Sequence, residues 1–306
     1  MSADAASRFE PHRTSLLRHA YRMLGERAEA EDAVQESYLR WDDALRRAPV
    51  HDDRAFLRAT VTRLCINRLR SARARREVYV GPWLPEPVLD DPAADPATAA
   101  TIADDVSFAL LLALERLSPL ERAAFLLHDA LDVPFAEIAT ILERSEPAVR
   151  QLAARGREHV RSSRPRAIVP REEAVRVRDA FVAALRAGDL GGIQALLTQD
   201  VRLISDGGGK ASAARNVLTG QDRVGRFLQG VARKFPPTLL GRRATINGLL
   251  GFVAVEHDGT VTQTLALELD GTRIAAIYTT RNPDKLHGVE RALDRGADVG
   301  TSTTGR

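Results

Sequence analysis

Phe135-Ala136-Glu137-Ile138-Ala139-Thr140-Ile141-Leu142, then Glu143-Arg144, then Ser145, is the stretch on which the fold turns. The first eight residues read as a short amphipathic helix. Glu143-Arg144 is a tight turn, and Ser145 stands where an N-cap belongs. The helix that follows, Glu146 to Val160, carries Arg150, Gln151, Arg155 and Arg157, with Arg161 just beyond. Short helix, tight turn, then an Arg/Gln-bearing helix is the helix-turn-helix arrangement, whose second helix enters the major groove of DNA. Arg and Gln suit that place because they form bidentate contacts with guanine and adenine edges. A plain helical hairpin is the bland alternative. Just upstream, Ser118-Pro119-Leu120-Glu121 is a capping box with Pro at the first helical position, so a helix starts there and runs to about Ala130.

The N-terminal part is helical too. Leu16, Leu17, Ala20, Tyr21 and Leu24 recur at helical spacing, and Gly25 ends that helix. A second helix runs from about Ala28 to Leu45. Ala30, Ala33, Val34, Ser37, Tyr38 and Trp41 form its inner face, and Asp32, Gln35, Glu36, Leu39 and Asp43 the opposite one. That outer face is acidic with one exposed leucine: a solvated face, or a docking surface for a basic partner. A third helix, about Arg54 to Arg76, holds eight arginines and no acid, with Phe56, Leu57, Thr60, Val61, Leu64 and Leu69 on its apolar side. Eight like charges on one helix point to an anionic partner, nucleic acid first. A membrane surface is the rival, but the apolar side is needed to close the three-helix core.

Composition bounds the rest. The chain has 306 residues, 44% of them hydrophobic, and a net charge of only +3 that is unevenly placed. Two or three domains are expected. The single cysteine, Cys65, excludes an intrachain disulfide and suits a reducing cytoplasm. No apolar signal segment opens the chain. Phe108 to Leu114, its longest apolar run, is too short to span a bilayer. Arg outnumbers Lys 41 to 3, as a GC-rich genome would produce.

Glu77 to Val106 is the least regular stretch. It contains Trp83-Leu84-Pro85-Glu86-Pro87, and from Gly81 to Val106 it has six acidic residues, Asp90, Asp91 and Asp95 among them, and no Lys or Arg. The prolines favour extended backbone. A tryptophan among them reads either as a segment that docks or as a linker whose ring caps a neighbouring helix.

Beyond Arg164 some 140 residues remain. Glu172 to Ala187 and Leu190 to Leu197 read as helices, Val201 to Ser205 as a strand, and Gln221 to Lys234 as another helix. Leu239 to Ile246, Leu250 to Glu256, Val261 to Leu269 and Arg273 to Thr280 alternate as strands, with Asp258-Gly259 and Asp270-Gly271 as hairpin turns. Helices followed by an antiparallel meander indicate an α+β domain. Two loops stand out: Asp206-Gly207-Gly208-Gly209-Lys210 and Asn282-Pro283-Asp284-Lys285-Leu286. The first is not a phosphate loop, since Ile204 and Ala211 stand where that pattern needs Gly and Ser/Thr. The bland reading is a flexible loop and a strand-ending turn. Yet they hold two of the three lysines in an arginine-rich chain. The tail 291–306 is polar and reads as disordered.

Asp32-Ala33-Val34-Gln35-Glu36-Ser37-Tyr38-Leu39-Arg40-Trp41 resembles the core-polymerase-binding helix of extracytoplasmic-function sigma factors. Leu117-Ser118-Pro119-Leu120-Glu121-Arg122 and the stretch from Phe135 through Val149-Arg150-Gln151 resemble their C-terminal DNA-binding domain. The third segment resembles the SnoaL-like branch of the cone-shaped nuclear-transport-factor-like fold. Trp83-Leu84-Pro85-Glu86-Pro87 and the two lysine loops match the sigma-factor group that carries such a domain. The resemblance implies a multidomain chain: two all-α domains at 7–76 and 107–164, the acidic linker 77–106, an α+β domain at 171–290, and a disordered tail. It implies an alternative sigma factor that binds core RNA polymerase through the β′ clamp and β flap and directs promoter-specific initiation. Asp32, Gln35, Glu36 and Leu39 would meet the polymerase. Arg58, Arg63, Asn67, Arg70 and Arg73 would engage the −10 element, and Ser145, Arg150, Gln151 and Arg155 the −35 element. The extra domain would modulate the factor in cis. Lys210 and Lys285 would face the acidic linker, and Trp83 would pack nearby and supply most of the docking energy.

The chain departs from the group at Glu143, where Gly is usual and a positive φ would strain any other residue, and at Gly156, a mid-helix glycine worth about 1 kcal/mol against Ala. Both suggest slightly unusual or weakened −35 binding. No metal, cofactor or membrane partner is expected. The third domain could accept a small-molecule ligand. Catalysis there would need a buried base, and Asp206 is the best candidate on a poorly rigid loop, with His257 and His287 badly placed. The remaining alternative, a ligand-sensing helix-turn-helix regulator, leaves the acidic and arginine-rich helices unexplained.

Overall fold

In the computed structural model, residues 3–76, 79–90, 107–161, 169–234, 241–256 and 258–300 are described, with side chains except at 3–4, 72–76 and 295–300. The chain forms two compact units, Met1–Val78 with Leu110–Arg164, and Tyr79–Ala109 with Pro165–Arg306.

The first unit is all-α. Helices α1 (Ala3–Leu24), α2 (Arg27–Arg47) and α3 (Asp53–Arg76) pack on one another. Trp41 is fully buried between Phe9 and Tyr38, and its Nε1 donates to Asp53 Oδ1 at 3.0 Å. Arg8 grips the same carboxylate from the other side. From α3, Leu57, Val61, Leu64, Cys65 and Leu69 point into the core. Burial pushes the Cys65 thiol up to about 12, so it is a packing residue and a poor nucleophile.

Helices α4 (Phe108–Glu115), α5 (Pro119–Phe125), α6 (Phe135–Leu142) and α7 (Glu146–Arg161) follow, with one π-helical stretch, Leu126–Ala130, extending α5. The capping box at Ser118 forms, with Glu121 reaching back to the Ser118 N–H at 3.0 Å. Glu143 is left-handed, φ +54 and ψ 50, so the turn carries the strain that a side chain brings there. Gly156 reads differently from its sequence. A Cβ at this position would lie 2.9 Å from Phe125 Cβ and 3.2 Å from the Glu121 carbonyl. The glycine is what lets α7 approach α5, a packing device rather than a weakness.

The second unit is α+β. Helices α8 (Arg171–Ala187), α9 (Leu190–Ala195) and α10 (Gln221–Lys234) accompany strands β1 (Leu197–Asp206), β2 (Leu218–Thr219), β3 (Arg242–Ile246), β4 (Leu249–Val255), β5 (Val261–Asp270) and β6 (Arg273–Thr280). The sheet order is β2-β1-β6-β5-β4-β3. The last four strands are the expected antiparallel meander. β1 is longer than its alternating stretch and pairs with β6 in parallel, which the long crossover between them permits. Val177, Phe181, Leu185, Val224, Leu228, Phe252, Leu265 and Ile277 form one core. Tyr278 stacks on Phe108 with ring centroids 5.0 Å apart, and its hydroxyl donates to Glu268.

Two details correct the sequence reading. Asp270 pairs with Arg273, so the hairpin loop is Gly271-Thr272, with Gly at the positive-φ first position. Residues 291–300 are not an irregular tail: helix α11 runs His287–Gly300. Val289 is fully buried, and Glu290 Oε1 accepts from the Val261 N–H at 3.3 Å. Residues 301–306, His257, and the acidic Asp91 and Asp95 lie outside the described residues.

Candidate nucleic-acid interface and linker clamp

The linker is part of the second unit, and Asp206 is the group it closes around. Asp206 ends β1 with no exposed surface. Its Oδ2 accepts from the Leu84 N–H at 2.9 Å and from Lys285 Nζ at 2.8 Å. Its Oδ1 accepts from the Tyr79 hydroxyl at 2.6 Å and the Gly208 N–H at 3.0 Å. Four donors saturate the carboxylate, which removes it from consideration as a general base. Lys285 also donates to the Leu84 carbonyl at 2.5 Å. Its Nζ sits 4.3 Å from the centre of the Trp83 ring, a cation–π contact in a desolvated place. Asn282 completes the cluster, donating through Nδ2 to the Tyr79 hydroxyl at 2.9 Å.

The lysine expectation divides. Lys285 is buried, in an ion pair whose side chains are 7% and 0% exposed. It bonds Asp206 and reaches the linker at the Leu84 carbonyl. Lys210 instead pairs with Asp284 of the neighbouring loop at 2.5 Å, both more than half exposed. That pair is worth at most about 1 kcal/mol. The apolar anchor also shifts by one residue. Leu84 is fully buried, Pro85, Glu86 and Pro87 are buried, and Trp83 is only partly so. Leu286 is buried beneath the second loop, while Pro283 is exposed.

The glycine loop is tight, not slack. A Cβ on Gly207 would lie 2.4 Å from the Ala211 carbonyl, and one on Gly208, at φ +60, 2.4 Å from Asn282 Nδ2. Gly209 faces Val80 of the linker.

Further along, the linker adds to the sheet edge. Leu89 bridges antiparallel to Ile246 of β3. Asn247 N–H donates to the Val88 carbonyl at 2.9 Å, and Val88 N–H returns to Asn247 Oδ1 at 3.0 Å. Asp90 N–H donates to Thr245 at 3.0 Å. β3 is one of the two edge strands, and the linker pairs with its end, as exposed edges require cover. Tyr79 and Asn247 were not foreseen. Asn247-Gly248, both at positive φ, is the strongest hairpin dipeptide in the chain and could have marked the β3–β4 turn.

In the first unit, Asp32, Gln35 and Leu39 are exposed on α2, Leu39 at 57%. Glu36 is partly covered and takes Arg40 and Arg68. On α3, Asn67 and Arg70 are exposed. Arg58 is largely buried and bonds Glu137 of α6. Arg63 gives Nε to the Ile141 carbonyl at 2.9 Å and Nη2 to the Thr140 carbonyl at 3.1 Å. The side chain of Arg73 lies outside the described residues. On α7, Arg150, Gln151 and Arg155 share an exposed surface, with Ser145 exposed just before it. Arg150 bonds Glu146 and lies 4.5 Å over Phe135. Arg155 Nε donates to Glu121 at 2.6 Å. Burial works to raise the Glu121 carboxyl, but the bonds from Arg155 and Ser118 hold it below its ordinary value. Arg122, buried at 3% exposure, ties α5 to the carbonyl of Met23 at 2.6 Å and to Glu115 at 2.8 Å. No described helix is long and apolar enough to cross a membrane.

Comparison with known proteins agrees with this anatomy. Residues 8–75 match the Sigma-70 region 2 family and residues 107–160 the Sigma-70 region 4 family. The ECF RNA polymerase sigma factor SigJ of Mycobacterium tuberculosis is 41% identical over 293 residues, covering 92% of this chain and 93% of SigJ. A probable ECF sigma factor of the same species, SigI, is 33% identical, covering 93% of this chain and 96% of its own. The crystal structure of M. tuberculosis SigJ superposes with a TM-score of 0.74 at 38% identity, covering 92% of this chain and 98% of that one. The two helical sigma regions, the α+β domain behind them and the near full-length likeness to SigJ together show that this chain belongs to the extracytoplasmic-function RNA polymerase sigma factors.

Proposed function

We propose that this alternative sigma factor is tuned in cis by its C-terminal domain through the docked linker. Sigma factors of this family bind core RNA polymerase and promoter DNA and direct transcription without catalysing a reaction. The finer reading is ours. The observation that carries it is the buried Lys285–Asp206 pair closing on the Leu84 backbone. The linker joins the two sigma regions in sequence. Docked, it holds them to one length of free chain; undocked, it would let them span two promoter elements.

The contact residues follow. Asp32, Gln35, Glu36 and Leu39 would meet the polymerase β′ clamp, and the C-terminal sigma region the β flap. Arg58, Arg63, Asn67, Arg70 and Arg73 would hold and open the −10 element, by phosphate attraction and capture of extruded bases. Ser145, Arg150, Gln151 and Arg155 would read the −35 element. Arg58 and Arg63 here give donors to α6. Those donors must be released before the same groups can serve DNA.

Run-off transcription with core polymerase tests this. The full chain, Lys285→Met, and a truncation after Arg164 should all initiate at the same promoter but differ in output. Equal output from all three would refute control in cis.

A further inference from the structure

The second unit contains a cavity of about 270 Å³ lined by Arg178, Val182, Arg186, Gly241, Arg243, Gly251 and Phe252. Its chemistry is written into two elements. Arg178, Val182 and Arg186 are spaced i, i+4, i+8 on α8, so they form one stripe of that helix. Arg243 of β3 and Phe252 of β4 are direct cross-strand partners. A cationic helix stripe therefore faces one arginine and one aromatic ring of the sheet.

Asp179 accepts from Arg178 Nε at 2.9 Å and from Arg243 Nη2 at 3.3 Å. One carboxylate thus serves two guanidinium groups. The Arg178 side chain is only 9% exposed. Among the described residues its sole side-chain hydrogen bond is the one from Nε, which leaves both Nη groups without a protein acceptor. The fork is open to the cavity that Arg178 lines, and its geometry matches a carboxylate or phosphate. Val182 and Phe252, the latter 2% exposed, offer an apolar wall beside it.

We infer that this cavity is a binding site for a small amphipathic organic anion, with its acidic head on the Arg178 fork and an apolar or aromatic body against Phe252 and Val182. The site shares no residue with the linker clamp, and it stands or falls independently of control in cis.

The test uses the full chain in isothermal titration and thermal unfolding with three probes. Benzoate carries both head and body, benzamide is its neutral counterpart, and inorganic phosphate has charge without body. Benzoate should bind and raise the melting temperature. Benzamide should bind at least about tenfold more weakly, since a hydrogen bond to a charged group is worth that much, and phosphate also more weakly, since it leaves Phe252 and Val182 uncovered. Arg178→Gln should weaken benzoate by about tenfold or more. Arg186→Gln, farther along the stripe, serves if the first variant does not fold. No benzoate binding at millimolar concentration, equal binding of benzamide, equal binding of phosphate, or undiminished affinity in the folded arginine variant would overturn the assignment.

Discussion

Lys285 Nζ lies 2.8 Å from Asp206 Oδ2, in an ion pair almost wholly removed from solvent, and the Leu84 backbone bonds both members, its N–H donating to Asp206 and its carbonyl accepting from Lys285. Breaking a buried pair from one side strands the other charge and costs about 3–5 kcal/mol. Lys285→Met and Asp206→Asn should each destabilise the second unit by that order. The double substitution should cost less than the sum of the two. Hydrogen exchange at the Leu84 amide reports it directly: either single change should raise exchange across residues 79–90. Additive effects would mean that the pair does not act as a unit.

Leu84 rather than Trp83 should dominate linker docking. Leu84 has no exposed surface, and Trp83 is partly exposed. Truncating a buried Leu costs about 2–5 kcal/mol, so Leu84→Ala should free the linker and shift promoter output. Trp83→Ala removes a cation–π contact worth about 1–2 kcal/mol and some area, and should act in the same direction but more weakly. A larger effect from Trp83→Ala would show that the ring, and not the leucine, is the anchor.

Two residues of the helix-turn-helix should respond against expectation from helix propensity. Glu143, at φ +54, gains from losing its side chain: Glu143→Gly should stabilise the first unit by about 1 kcal/mol. Gly156→Ala replaces the poorest interior residue but one with the best helix former, yet its methyl would meet Phe125 Cβ at 2.9 Å. Overpacking of that kind costs about 1–3 kcal/mol, so it should lower the melting temperature. A rise on Gly156→Ala would mean that α7 moves away from α5 at little cost.

Acid should weaken the first unit through His19. The ring is buried; its Nε2 meets Thr62 Oγ1 at 2.9 Å, and because that hydroxyl donates to the Arg58 carbonyl, Nε2 must be the protonated nitrogen. Nδ1 has no partner. Burial first, then the charges of Arg22 and Arg58, lower the imidazole to about 3 from an unfolded value of 6.5. The unfolded chain therefore binds the extra proton between these values, and stability is full above 6.5. It should fall by about 1.4 kcal/mol per pH unit from 6.5 toward 3. His19→Gln should flatten that slope in denaturation measured across this window.

What could be read without coordinates was what is local. Helices α2 and α10 and strands β4 to β6 announce themselves because their apolar period is set within a dozen residues; Gln221–Lys234 agrees at both ends. β2, with two residues, is too short to show a period; α11 does show one, with Val289, Ala292 and Leu293 at helical spacing, and taking the chain beyond residue 290 as a polar tail passed over it. The clamp was legible only as types of residue. Asp206 looked like a loop carboxylate because its donors come from positions 79, 84, 208 and 285, and no local pattern relates those. Charge counting suggested lysines on an acidic linker; the ion pair of Lys285 with Asp206 and its bond to the Leu84 backbone leave no trace in a charge count.

The same limit applies to the arginines of α3, and it yields the last prediction. Eight arginines on one helix suggested a surface open to nucleic acid, yet Arg58 is closed by Glu137 and Arg63 by the carbonyls at the end of α6. The backbone acceptors cannot be removed by substitution, but the carboxylate can. Glu137→Ala should leave Arg58 charged, largely buried and without its carboxylate, favouring arrangements in which α3 and α6 part. The radius of gyration should increase in solution scattering. A single-stranded oligonucleotide carrying the −10 sequence should bind several-fold tighter, with a steeper salt dependence, because one more cation reaches phosphate. Arg63→Ala also loosens α6, but it deletes a cation that would grip DNA, so it should not tighten binding. If Glu137→Ala expands the molecule without improving DNA binding, then Arg58 is a packing residue of the closed unit and no part of the −10 surface.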